Sequence, residues 1–190
     1  MSAVAHFSGG FATPPIDAAH AFRAAMTAMA RPGEIRRIAG AMPPPPLSPA
    51  AGALILTLCD ADTVLNLAGE ADCAAVRDWV AFHTGAPLGF AEEADFVLGT
   101  WEVLQPLERF RIGTPEYPDR SATLIVEVAD LNAHGTTLRG PGIRDTAQLN
   151  LPDRAALALN ASRFPLGFDC FFTCGDRLAA LPRSTQISEG

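Results

Sequence analysis

The first strong pattern along the chain is a run rich in alanine and methionine between two proline-containing segments. Phe22, Met26 and Met29 fall at i, i+4 and i+7, the spacing of one helical face. Arg31-Pro32-Gly33 disfavours further helical turns, because proline excludes the helical conformation from the residue before it. The pattern predicts a helix from Pro14 to Ala30, with prolines suited to its first turn.

Beyond this helix, helical and strand patterns alternate along the chain. Thr123-Leu124-Ile125-Val126-Glu127-Val128 is rich in β-branched residues and predicts a buried strand, whereas Gly175-Asp176 between two apolar runs predicts a hairpin. Further helices are predicted over residues 51–59, 71–83 and 152–162, and strands over 34–38, 64–67, 96–99, 122–128, 136–139, 168–174 and 178–181. The alternation indicates an α/β fold, a mixed β-sheet with helices on both faces.

The segment Pro43–Pro49 interrupts this alternation. Consecutive prolines predict an extended, exposed chain. Because the part before them is too short to fold alone, we predict an ordered loop inside a single domain over residues 1–190. A 20.0 kDa chain is large enough to bury its own core. Stiffness and exposure also make this segment a candidate docking loop.

The charge balance narrows the classes of partner. The chain carries 21 acidic against 14 basic residues, a formal net charge of −7. Proteins that coat nucleic acid need a basic surplus to neutralise phosphates, so no nucleic-acid partner is expected. The sequence has no signal-peptide pattern and no window of 18 apolar residues. We therefore expect a cytoplasmic protein with no membrane partner.

The basic residues are all arginine, because the chain contains no lysine. A pyridoxal phosphate enzyme needs a lysine for its Schiff base, and a P-loop needs the lysine that contacts the phosphates. The sequence therefore excludes both kinds of site, and no cofactor is expected.

Metal-binding patterns are weak. Cys59, Cys73, Cys170 and Cys174 form no CxxC pair, which predicts reduced thiols and no zinc site. Asp60-Ala61-Asp62 could in principle share a cation, but such a pair more commonly caps a turn. We expect no metal.

Two groups of residues are candidates for chemistry. His6, His20, His83 and His134 are scattered along the chain, and of these His83 and His134 are the candidates for a general base. Anion binding has a different set of candidates, with guanidinium forks and a glycine turn that permits close backbone approach: Arg31, Arg139, Gly140, Gly142 and Arg183. The alternative for the arginines is simple solvation or, for Arg31, an interaction with the helix dipole.

Six short motifs, in order and spread over most of the chain, resemble the PhnH family, a component of the bacterial carbon-phosphorus lyase system. Ser184 stands where the resemblance leads one to expect threonine. The motifs are Phe22-Arg23-Ala24-Ala25-Met26, Met29-Ala30-Arg31-Pro32-Gly33, Phe82-His83-Thr84-Gly85-Ala86-Pro87, Gly140-Pro141-Gly142-Ile143, Phe164-Pro165-Leu166-Gly167-Phe168-Asp169 and Leu181-Pro182-Arg183-Ser184-Thr185.

The resemblance implies a fold like that of the pyridoxal phosphate-dependent transferases, without the cofactor. It also implies a homodimer that joins the G, I and J subunits. That complex forms ribose 1-alkylphosphonate 5-triphosphate from a nucleoside triphosphate and an alkylphosphonate, while the J subunit cleaves the carbon-phosphorus bond.

Two interpretations of function remain open at this stage. The chain is either a structural or co-catalytic subunit that docks onto partners, or an enzyme or ligand-binding subunit in its own right. In the second case Arg31, Arg139 and Arg183 would bind phosphate or phosphonate oxygens of a nucleoside triphosphate or alkylphosphonate, and His83 or His134 would move a proton.

Overall fold

The computed structural model describes residues 7–188, which form helices and strands in alternation. The helices of this part are α1 (Pro14–Ala30), α2 (Pro49–Leu58), α3 (Ala74–Thr84) and α4 (Arg154–Ala161). Its strands are β1 (Arg36–Arg37), β2 (Leu65–Leu67), β3 (Phe96–Thr100), β4 (Thr123–Glu127), β5 (Thr136–Arg139), β6 (Ala147–Leu149), β7 (Asp169–Cys174), β8 (Arg177–Leu181) and β9 (Gln186–Ser188). Within residues 7–188, no helix is both long and apolar enough to span a bilayer.

The first helix has the predicted bounds, but its core-facing side differs from the face that the large apolar residues mark. Ala21, Ala25 and Ala28 are buried, whereas Phe22 and Met26 are 50% and 51% exposed. Alanines lie at helical spacing as well, and their small side chains let α1 pack closely against α2 and β8. Phe22 and Met26 therefore remain on an outer face, whereas Met29 is partly buried and packs against the core.

The proline segment differs in part from the extended, exposed loop that was predicted. Pro45 and Pro46 are exposed, but the chain turns there and Leu47 is buried. Pro49 begins α2, and the Ser48 hydroxyl caps that helix by accepting a hydrogen bond from the Ala51 amide at 3.1 Å. Proline thus acts here as a helix start as well as a loop residue.

The predicted mixed sheet is confirmed. Its six strands have the order β1-β8-β7-β4-β3-β2. Strands β2, β3, β4 and β7 are mutually parallel, whereas β8 runs antiparallel to β7 and β1 antiparallel to β8. The predicted hairpin around Gly175-Asp176 joins β7 and β8. A second, antiparallel sheet has the order β6-β5-β9, and β6 and β9 were not predicted from the sequence.

Apolar cores cover both faces of the large sheet. Ile125 of β4 packs in the core formed with α1, α2 and α3. Its neighbours Leu124 and Val126 point the other way, into a core that includes Leu157 of α4 and Leu138 of the small sheet. Burial on both faces explains why β4 is an unbroken apolar run. Helices therefore pack on both faces, as predicted.

Candidate functional site

The carboxyl ends of the parallel strands share one edge of the large sheet. Thr100 ends β3, and Glu127 ends the adjacent β4. In open α/β sheets, ligands bind outside this edge, because the strands end there and the following loops diverge. Both residues line a cleft at this edge.

The cleft comprises two cavities of about 320 and 350 Å³ that share Thr100 and Glu127. The first has a mainly apolar wall and one further carboxylate, Glu70. The second also has Glu102 and Asp130 in its lining. These carboxylates repel phosphate groups, so the cleft suits an uncharged or cationic group that donates hydrogen bonds.

Glu127 is held in place by two elements beside its own strand. Its carboxylate accepts a hydrogen bond from the Ser48 amide at 2.7 Å, at the start of α2, and another from the Thr173 hydroxyl at 2.9 Å. Burial raises the pKa of the Glu127 carboxyl above its ordinary value, while these hydrogen bonds act in the opposite direction. Sequence reasoning did not identify Glu127 as a site residue, although a polar residue ending a buried parallel strand was a usable signal.

The predicted anion-binding turn is enclosed by two other segments. A side chain on Gly142, which has a φ of +81°, would collide with the Ala30 carbonyl at the end of α1. Added to Gly140, a Cβ atom would lie 3.2 Å from the Ser184 carbonyl oxygen. The backbone next to Arg31 therefore lies on one side of this turn, and the backbone next to Arg183 lies on the other.

The Arg183 guanidinium is engaged with protein atoms. Two of its N–H groups donate to Asp169, the closer pair at 2.6 Å. One further N–H donates to the Ser121 hydroxyl at 2.6 Å and another to the Pro118 carbonyl at 2.7 Å. Four of its five donors are thus occupied, which gives Arg183 a structural role and leaves little capacity for an anion.

The other two predicted arginines are exposed. Arg31 lies 3.6 Å from Glu34 in an ion pair whose side chains are 62% and 44% exposed. The Arg139 side chain lies at the surface end of β5. No contact within residues 7–188 joins the guanidiniums of Arg31, Arg139 and Arg183. Their joint action on one anion stays a prediction.

The two predicted histidines lie apart from the cleft. His83, on the last turn of α3, has its ring centroid 5.1 Å from that of Trp79 and 4.9 Å from that of Phe82. Its buried Nε2 atom has no hydrogen-bond partner among residues 7–188. His134 is exposed just before β5. Neither lines the two cavities, and His6 is outside the described residues.

Asp60 caps a turn, and the four cysteines form no disulfide. Asp60 accepts hydrogen bonds from the Thr63 hydroxyl at 2.6 Å and the Asp62 amide at 3.0 Å, which lower the pKa of its carboxyl. This is the turn cap that the sequence suggested as the alternative to a metal site. The four thiols are free, and burial raises the pKa of Cys59 to about 12 and raises that of Cys170. Among residues 7–188, no cluster of three metal-ligating side chains occurs.

A second concave surface combines arginines that the sequence did not single out. It is an open groove of about 480 Å³ between α1 and β1, and we call it the arginine groove. Arg23 of α1 and Arg36 and Arg37 of β1 line it together with His20.

Two comparisons with known proteins place the chain in a family. The sequence profile described as "Bacterial phosphonate metabolism protein (PhnH)" matches residues 9–188. The chain is also 40% identical over 190 residues to the alpha-D-ribose 1-methylphosphonate 5-triphosphate synthase subunit PhnH of Rhizobium meliloti (strain 1021), and the alignment covers 95% of each chain. The six motifs quoted above lie within the matched region. The chain therefore belongs to the PhnH family of bacterial phosphonate metabolism proteins.

Proposed function

We propose that this chain is a subunit of a bacterial α-D-ribose 1-methylphosphonate 5-triphosphate synthase and acts in the cytoplasm. The observation that carries the proposal is the 40% identity to such a subunit over 95% of both chains. Because the alignment covers nearly the whole relative, the similarity extends to that subunit as a whole and is not limited to one part of it.

Within the complex, we propose a structural or co-catalytic role in which the chain dimerises and docks onto the G, I and J subunits. Its surface offers large apolar side chains for such contacts, since Phe82, Phe90 and Phe164 are 61%, 77% and 61% exposed. Aromatic side chains contribute much of the binding energy where they become buried between proteins. The proline segment remains a candidate docking loop, through its exposed Pro45 and Pro46.

The proposal includes no pyridoxal phosphate. A lysine-free chain cannot form the internal Schiff base on which that cofactor depends. We also propose that the mixed sheet is related to that of the pyridoxal phosphate-dependent transferases, and superposition of the six strands on such an enzyme tests this relation.

A ligand-binding role is the second candidate function. It is favoured by the arginine groove, which places three guanidiniums in one concave surface. The two roles are compatible, because a docking subunit can also hold part of a substrate.

Co-purification tests the proposal. The chain is expressed with the G, I and J subunits of the same organism, with an affinity tag on the I subunit only, and the mass of the eluted complex is measured. We expect the chain to elute in a fixed ratio to the tagged subunit. Elution of the G, I and J complex without it, at all salt concentrations tried, would contradict the proposal.

A further inference from the structure

The arginine groove runs between one flank of α1 and the edge strand β1. His20, Arg23 and Thr27 lie at i, i+3 and i+7, so they form one stripe along the helix. Ala24, within the same stripe, contributes a small side chain that leaves room between helix and strand. Arg36 and Arg37 lie opposite on β1, where both are exposed.

The groove reverses the charge of the protein locally. The whole chain carries 21 acidic and 14 basic residues, yet none of the seven residues that line the groove is acidic. Two carboxylates lie at its margin: Glu34 is 3.5 Å from Arg36, and Asp176 accepts a hydrogen bond from Arg37 at 2.7 Å. Within residues 7–188, the guanidinium of Arg23 has no carboxylate at ion-pair distance.

Because of these contacts, the three arginines differ in how many of their N–H donors are available to a ligand. Arg37 is tied to the β7–β8 turn through Asp176, so part of its donor capacity is used. Arg36 is only loosely paired with Glu34, and Arg23 lines the groove without a carboxylate partner among residues 7–188. Guanidinium forks match phosphate oxygens because two parallel N–H groups can donate to two oxygens of one phosphate.

We propose that the arginine groove binds the phosphate chain of a polyphosphate-bearing ligand, with Arg23 and Arg36 as its main contacts. The choice of a triphosphate as the ligand class rests on the proposed function, since the named synthase makes a 5-triphosphate. An open groove of about 480 Å³ admits an extended phosphate chain while leaving the rest of the ligand exposed.

Two features favour a small polyanion over the alternatives. Arginines on an edge strand can merely discourage pairing with another strand, but that purpose does not explain Arg23 and His20, which lie on the facing helix. A contact with an acidic protein surface would favour a flat patch, whereas these residues line a concave one.

The probe for the test is inorganic tripolyphosphate, titrated calorimetrically into the full-length protein at low and at physiological salt. Arg23→Ala and Arg36→Ala each remove one guanidinium from the groove. Arg144→Ala is the matched control, because it removes the same charge from a side chain that is 97% exposed outside the groove. Melting temperatures of all variants show that they are folded.

We expect saturable binding that weakens with salt, a loss of affinity of about tenfold or more in each groove variant, and a change within about twofold in the control. Failure of the wild type to bind, or equal affinity of the groove and control variants, would overturn the proposal. The proposal would also be overturned if the groove variants bound tripolyphosphate like the wild type but no longer co-purified with the synthase subunits. A chain that binds tripolyphosphate through the groove but never joins the G, I and J subunits would instead refute the proposed function.

Discussion

Replacing Arg183 separates a structural role from an anion-binding one. Its side chain is 13% exposed and that of its partner Asp169 is 23% exposed. Arg183→Ala removes the two-pronged contact with Asp169 and the bonds to Ser121 and Pro118 at once. We therefore expect Arg183→Ala mainly to lower the free energy of unfolding and not to weaken anion binding.

The magnitude follows from the partners that the substitution leaves behind. Breaking a largely buried ion pair by removing one partner costs several kcal/mol, because the other charge stays desolvated. Asp169 keeps a hydrogen bond from the Arg183 backbone amide at 2.8 Å, and both side chains retain some solvent contact. We expect a loss of about 3 kcal/mol in the free energy of unfolding, or about 6–12 °C in melting temperature for a chain of this size.

Urea denaturation followed by circular dichroism measures this loss, with Arg144→Ala as the control. The control should stay within about 0.5 kcal/mol of the wild type, because its side chain is almost fully exposed. Arg183→Lys should recover only part of the stability, since an ammonium cannot reproduce the planar fork. Equal stability of Arg183→Ala and the control, together with weaker tripolyphosphate binding in Arg183→Ala alone, would refute the structural role.

Two further predictions concern the turn and the cleft. Gly142→Ala should cost about 3 kcal/mol of unfolding free energy, because its new methyl group would collide with the Ala30 carbonyl. Gly175→Ala, with φ +60° and open space around it, should cost only about 1 kcal/mol, and equal losses of the two variants in denaturant titrations would contradict the close packing at Gly142. Glu127→Gln can still accept the hydrogen bond from the Ser48 amide. Since burial raises the pKa of Glu127, its contribution to wild-type stability is present below the ordinary glutamate pKa and is lost as the pH rises through the raised value. The stability of the variant relative to wild type should therefore increase with pH, and a pH-independent difference would sink this argument.

Local signals in the sequence were sufficient for the main elements of the fold. The proline and glycine residues around α1, the β-branched run of β4 and the Gly175-Asp176 turn each specify structure within a few residues. Strands β6 and β9 were missed because each has three residues and their pairing with β5 depends on distant chain segments. The predicted strand over 34–38 shortened to Arg36–Arg37 for a similar reason, since β8 pairs with only those two residues.

The candidate sites depended more strongly on tertiary structure. The sequence marked Arg183 through a motif, but only the fold shows that Asp169 and Ser121 occupy its donors. The sequence shows Glu127 as a polar residue at the end of a buried strand, but only the fold sets it beside Thr173 of β7 and Ser48 at the start of α2. Arg23 and Arg36 are close in sequence, yet their convergence requires the chain to reverse at Gly33 and pair with β8.

The most direct test of the proposed function is synthesis of the ribose methylphosphonate triphosphate by purified subunits. The G, I and J subunits are supplied with a nucleoside triphosphate and methylphosphonate, with and without this chain, and the product is followed by phosphorus NMR. We predict product formation only when the chain is present. Equal product formation without it would contradict the assignment of this protein as a required subunit of the synthase.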